Sequence, residues 1–156
     1  MEPLKQWICD VCGKPIETPE EGYVVWGTNQ DGLVDKIRIL HKNNRVNEER
    51  TGCDFDRRFS MSLPLEDFLG DEGKTNLLSL IDPGPDFTQE YKNRIADMRL
   101  YLETFRRLQF PYYEEARLYW NRARADGFFE GANEIKIYQP DFLQQIIKDY
   151  SDEDDD

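Results

Sequence analysis

Three cysteines and one histidine are the residues of this chain best suited to do chemistry rather than packing. Cys9 and Cys12 lie two residues apart in the string Trp7-Ile8-Cys9-Asp10-Val11-Cys12-Gly13-Lys14-Pro15-Ile16, and the remaining cysteine and the single histidine are Cys53 and His41. Zinc prefers four nitrogen or sulfur ligands in a tetrahedron, and a Cys-x-x-Cys turn fills two corners from one short piece of backbone without strain. A set of Cys9, Cys12, His41 and Cys53 uses every such residue and leaves no spare thiol. The expectation is one structural Zn2+ held by these four side chains, with binding that contributes folding free energy of about 10 kcal/mol.

Other readings of the same residues are less economical. Taken singly, Cys53 reads as a small buried hydrophobe and His41 as a solvated strand end. A catalytic zinc would keep a water in an open position, but the sequence has no His-Glu-x-x-His helix and no His-x-Glu paired with Pro-Cys-x-x-Cys, and three thiolates would quench the ion's Lewis acidity. A redox role for Cys9-x-x-Cys12 needs a strand-to-helix setting, which Gly13-Lys14-Pro15 does not continue.

These ligands need elements to position them. Gly13 supplies the backbone freedom of a knuckle turn. Tyr23-Val24-Val25-Trp26, the turn residues Asn29 to Gly32 and the alternating run Leu33 to His41 predict a β-hairpin, with Ile37, Ile39 and His41 on one strand face. The polar stretch Asn43 to Gly52 reads as a flexible exposed loop returning the chain to Cys53.

Downstream the pattern turns helical. A short helix is expected over Leu63 to Gly70 and a second over Asp71 to Ile81, with Leu77, Leu78 and Ile81 inward. Asp86 and Gln89 suggest a capping box, opening a long helix to about Leu108 whose stripe is Phe87, Tyr91, Ile95, Met98, Leu102 and Phe105. Tyr113, Ala116, Tyr119, Trp120 and Ala123 stripe another helix ending at Asp126-Gly127. A small hairpin over Phe128 to Tyr138 and a last helix from Pro140 through Tyr150 complete the set. The fold class is therefore α+β: a zinc-ribbon-like β-hairpin module over 1–60 packed on a mainly α-helical body over 61–150, then a disordered acidic tail over 151–156.

Charge narrows the partners. The net charge is −12, divided as −2 over residues 1–62 and −10 over 63–156, and Asp152 to Asp156 supply half of the latter. Phosphate backbones repel such a surface, so nucleic acid is an unexpected partner and a basic protein a favoured one. No run of about 20 apolar residues suggests a membrane span, and no signal core follows the N-terminus. Unpaired thiols fit a reducing compartment, so a cytoplasmic location is expected.

Two further constellations stand out. Arg117, Asn121 and Arg124 share a face of the fourth helix, read as opposite its aromatic stripe. With the hairpin that follows, they could form a winged-helix DNA reader over 111–138. That segment nevertheless has a net charge of −1. A solvated face with pairs such as Glu114 to Arg117 explains it more simply. The pairs Glu66-Asp67, Asp71-Glu72 and Glu114-Glu115 fall at helix starts, where carboxylates favourably face the helix dipole. No phosphate loop, serine nucleophile motif or second histidine appears, so no enzymatic site is visible.

The knuckle string, Ile39-Leu40-His41, Gly52-Cys53, Leu63-Pro64-Leu65-Glu66-Asp67-Phe68-Leu69-Gly70 and Tyr113-Glu114-Glu115-Ala116-Arg117 together resemble a group of small uncharacterised bacterial proteins. That resemblance implies the same ligand set and a compact helical body, with no activity attached. The expected function is a zinc-stabilised, non-enzymatic adaptor or regulator acting by protein–protein interaction. The alternatives are an acidic nucleic-acid mimic that antagonises a basic DNA- or RNA-handling protein, and a DNA-binding regulator using segment 111–138.

Overall fold

A computed structural model describes residues 1–42, 44–46, 49–51, 53, 58–87 and 92–151, with 44–46 and 49–51 described by their backbone alone. It is an α+β protein, with four α-helices and small antiparallel sheets among the described residues. The short strands β1 (Trp7–Ile8) and β2 (Pro15–Ile16) pair around the knuckle. The main sheet has the order β4-β3-β7, built from β3 (Gly22–Thr28), β4 (Val34–His41) and β7 (Met61–Pro64). The hairpin β3–β4 matches the expectation from sequence, and its turn is closed by Asn29, whose Oδ1 accepts from the backbone N–H groups of Asp31 and Leu33, each at 3.0 Å. Gly32 takes the positive φ of 76° that this turn requires.

Ile37 and Ile39 are buried on the face shared with His41, as the period-two argument requires. The strand is not half-solvated, however, because Leu40 and Val34 are buried as well. The polar stretch expected as a loop contains a second small hairpin, β5 (Asn44–Val46) with β6 (Glu49–Thr51). Asn43 and Gly52, which bounded that loop, lie outside the described residues, as do Asp152 to Asp156 of the expected disordered tail.

Three helical expectations are corrected. Leu63 and Pro64 are strand residues, paired with Val24 and Tyr23, and only Leu65–Phe68 turns helically, as a 3-10 turn. The proline ring disfavours α conformation in the residue before it, and a proline without an N–H is tolerated on an edge strand such as β7. Gly70, expected to end a helix, instead begins α1 (Gly70–Ile81). Leu77 is buried and Ile81 packs on the core, but Leu78 points outward, 62% exposed.

The long helix is shorter: α2 spans Met98–Gln109. Ile95 is captured by β4, since Val34 donates to the Arg94 carbonyl at 2.8 Å and accepts from the Ala96 N–H at 2.9 Å. The start is capped by Asp97, which accepts from the Leu100 N–H at 3.1 Å, and Phe87 is 82% exposed. Gln89 and Tyr91 lie outside the described residues. The buried face of α2 is Tyr101, Thr104, Arg107 and Leu108, while Met98 and Leu102 are exposed. Asp97→Ala is expected to lower stability by about 1 kcal/mol, read from chemical denaturation midpoints; an unchanged midpoint would discount the cap.

Helices α3 (Tyr113–Ala125) and α4 (Pro140–Tyr150) form as expected. The hairpin between them does not. Residues 128–138 are turns and a 3-10 turn at Lys136–Tyr138, because Asn133 Oδ1 accepts from the N–H groups of Ile135 and Lys136 and folds the chain back locally. Phe128 and Phe129 pack on Phe142, and Phe129 also meets Trp120 at 4.6 Å with the rings tilted by 43°. A winged-helix reading of 111–138 therefore has no wing.

Among the described residues, the buried apolar side chains form two clusters. One runs from Trp7 through the sheet to Leu77, Tyr101 and Leu108. The other joins Tyr113, Ala116, Ala123, Leu143, Ile146 and Tyr150 with the surrounding aromatics.

Candidate metal centre

The knuckle is a turn locked at both ends. The Cys9 N–H donates to the Lys14 carbonyl at 2.9 Å, and the Gly13 N–H donates back to the Cys9 carbonyl at 3.0 Å. Gly13 has φ of +71°, with open space where a Cβ would sit, so conformation rather than room selects glycine. The turn docks on the free edge of β4: the Asp10 N–H donates to the Ile39 carbonyl at 2.8 Å, and Asp10 Oδ2 accepts from the Ile39 N–H at 2.7 Å. This places Cys9 and Cys12 beside His41 at the end of the same strand. Cys53 is drawn to that end by its own N–H, which donates to the His41 carbonyl at 3.3 Å.

All four predicted side chains come together. Their ligand atoms lie within 4.8 Å of one another, with Cys9 Sγ 3.5 Å from Cys53 Sγ, Cys12 Sγ 3.4 Å from His41 Nδ1, and Cys53 Sγ 3.6 Å from the same nitrogen. His41 Nε2 lies 2.9 Å from the Pro15 carbonyl. A carbonyl only accepts, so Nε2 is the donor, and Nδ1 is the ring nitrogen turned toward the sulfurs, the position a metal ligand requires.

The thiols are electrostatically unequal. Burial of Cys9, which is 1% exposed, pushes its thiol up, but the backbone N–H groups of Cys12, Val11 and His41 outweigh it and bring the value to about 6. Burial raises Cys53, and the neighbouring sulfurs of Cys9 and Cys12 push it further, to about 12. Sulfurs crowded this closely repel each other once ionised, and a cation between them removes that penalty. No disulfide links the three cysteines.

A second group of residues, not foreseen from the sequence, ties this centre to the helices. Arg107 is 6% exposed and Glu114 5% exposed. The Arg107 guanidinium donates from Nε and Nη2 to Glu114 at 2.7 and 3.0 Å, from Nη1 to both oxygens of Asp10 at 2.8 and 2.9 Å, and from Nη2 to the Ile8 carbonyl at 2.9 Å. Glu114 also accepts from the Ile8 N–H at 2.9 Å and from Arg117 at 2.9 Å through each of two nitrogens. The pair Glu114 to Arg117 thus exists, but it is part of a buried network rather than a solvated face. The available signal was Arg107 falling on the same helical face as Tyr101, Thr104 and Leu108.

Burial pushes the Glu114 carboxyl up, but the hydrogen bonds of Arg117 and the charge and hydrogen bonds of Arg107 outweigh it and hold it below the ordinary 4.5. A depressed folded-state pKa contributes stability that is whole above the unfolded value and is lost as pH falls through the folded one. The gap in melting temperature between the wild type and Glu114→Gln is therefore expected to stay constant at pH well above 4.5 and to narrow below it. A gap that persists unchanged into strong acid would contradict the paired carboxylate.

Arg117, Asn121 and Arg124 do share a face, but Tyr113 and Trp120 line the same groove, so the aromatic stripe is beside them rather than opposite. Asp71 and Glu72 occupy the first turn of α1, and Glu66 and Asp67 that of the 3-10 turn. No described helix is long and apolar enough to cross a membrane. The class defined by fold and site is an α+β protein with a Cys3His cluster able to hold a metal ion. Compared with protein-family models, curated proteins and solved structures, the chain matches none of them.

Proposed function

We propose that this chain is a zinc-stabilised, non-enzymatic adaptor or regulatory protein of the cytoplasm that works by binding another protein, with the metal as a structural rivet in a zinc-ribbon-like module. The observation that carries this is the closed ligand set. For tetrahedral zinc with its usual bond lengths, sulfur–sulfur edges are about 3.8 Å and sulfur–nitrogen edges about 3.6 Å. The separations of 3.5 Å between sulfurs and of 3.4 and 3.6 Å between sulfur and nitrogen lie close to those edges. With four protein ligands no corner is left for a catalytic water, which supports a structural role over a hydrolytic one.

The test has two parts. Elemental analysis should find about one zinc per wild-type chain and a clear loss in Cys53→Ser; retention of the metal would mean that the fourth ligand is another residue. A pull-down from the native host should then recover a protein partner with the wild type and not with Cys53→Ser, and recovery of none would end the adaptor reading. Retention of that partner from low to moderate salt favours a specific surface, whereas collapse of binding favours charge mimicry.

A further inference from the structure

The chain is strongly acidic, yet one groove on it is cationic. Between α2, α3 and the 3-10 turn at Lys136–Tyr138 lies a cavity of about 330 Å³ into which Arg106, Arg117 and Arg124 converge, with Glu103 the one carboxylate on its walls. The arginines differ in how they are committed. Arg117 is clamped to Glu114. Arg106 lies 4.7 Å over the Tyr138 ring and 3.6 Å from Glu103. The exposed Arg124 guanidinium has no ion pair or side-chain hydrogen bond among the described residues.

The walls of the groove are largely aromatic. Tyr138 carries the Arg106 guanidinium over its ring, and that ring lies nearly parallel to the Trp120 indole, at 12° and 6.1 Å. Tyr113 packs against both aromatics and donates its hydroxyl to Glu103 at 2.6 Å, which occupies that carboxylate. A second cavity of about 310 Å³ adjoins the first, sharing Trp120 and Arg124; Phe129, Ala132 and Ile137 contribute its apolar lining, with Asn133 and the Glu134 carboxylate beside them. Together they fall within the size range of small-molecule sites, with a cationic half, an apolar half and Arg124 at the boundary.

We propose that this bipartite groove is a binding site for a small organic oxyanion, a phosphate monoester or carboxylate whose headgroup sits among Arg106, Arg117 and Arg124 and whose apolar body, about one ring in size, lies against Trp120 and Phe129. Guanidinium groups bind such oxyanions through paired charge-assisted hydrogen bonds, and the adjoining aromatic wall adds apolar contact. The inference is independent of the metal reading, because no metal ligand lines either cavity.

The test is a titration of the full chain at physiological salt, followed by nitrogen–proton correlation NMR. Phenyl phosphate should shift the Trp120 indole, Asn121 and Arg124 signals saturably, and inorganic phosphate should bind at least about tenfold more weakly because it lacks the apolar body. Arg124→Gln should weaken phenyl phosphate by about tenfold, the worth of one charge-assisted hydrogen bond. Ala132→Leu, which fills the apolar half, should weaken phenyl phosphate and leave inorganic phosphate unchanged. Benzoate in a parallel titration tells a carboxylate preference from a phosphate one. Melting curves confirm that both variants are folded. Equal affinity for phenyl and inorganic phosphate, full affinity in Arg124→Gln, or shifts scattered away from Trp120 would each overturn the proposal.

Discussion

Cys9→Ser is expected to leave a chain that neither retains zinc nor melts cooperatively. Cys9 is the most deeply buried of the four candidate ligands, and its sulfur sits 3.5 Å from that of Cys53 while also accepting from the Val11 N–H. A structural zinc contributes folding free energy of about 10 kcal/mol, against a net stability of about 5–15 kcal/mol for a typical domain. Losing one thiolate therefore removes a share comparable to the whole margin. The consequence should spread beyond the knuckle, because Trp7 and Ile16, which flank the turn, belong to the same core cluster as the sheet and α2. Circular dichroism melts with parallel zinc quantification check this. A Cys9→Ser protein that melts cooperatively within a few degrees of the wild type and still carries one zinc would refute the rivet.

The convergence of Cys9, Cys12, His41 and Cys53 was legible because the ligand types are scarce, so a set spread over three segments could be assembled by chemistry alone. The β3–β4 hairpin was legible because Asn29 and Gly32 act within their own turn. What escaped depends on partners distant in the chain. Ile95 has helical spacing with its neighbours, yet Val34 takes it into a strand bridge, and tertiary pairing outweighs local propensity. Ile135 and Ile137 look like strand residues, but Asn133 turns the backbone at their start, and Trp120 and Phe142 claim the aromatics that would have begun the hairpin. Arg107 is the clearest case. Its charge reads as surface, and only the meeting of Asp10 with Glu114 from a different helix makes its burial affordable.

That meeting also yields the second large prediction. Arg107→Met should destabilise the protein by about 3–5 kcal/mol, the usual cost of removing one partner from a buried ion pair. Methionine keeps the apolar stem but leaves Glu114 with Arg117 and one N–H, and Asp10 with the Ile39 N–H. Arg117→Met should cost much less, because Arg117 is more exposed than Arg107 and Glu114 then keeps its buried partner. Restoring balance with Arg107→Met/Glu114→Gln should recover part of the loss, since a neutral amide still accepts from the Ile8 N–H and Arg117, and the surviving carboxylate, Asp10, is partly exposed and less costly to leave unpaired. The effect should also reach the metal. Asp10 stands between the two knuckle cysteines, and its side chain is bonded by Arg107 and by the Ile39 N–H. Because Arg107 reaches the ligands only through Asp10 and Ile8, Arg107→Met is expected to weaken zinc affinity by about tenfold, the low end of the cost of losing a group bonded directly to a ligand. Denaturation midpoints and competition against a zinc chelator measure the two effects separately. If Arg107→Met proves no more costly than Arg117→Met and holds zinc as tightly as the wild type, the network is a passive salt bridge and the knuckle stands independently of the helices.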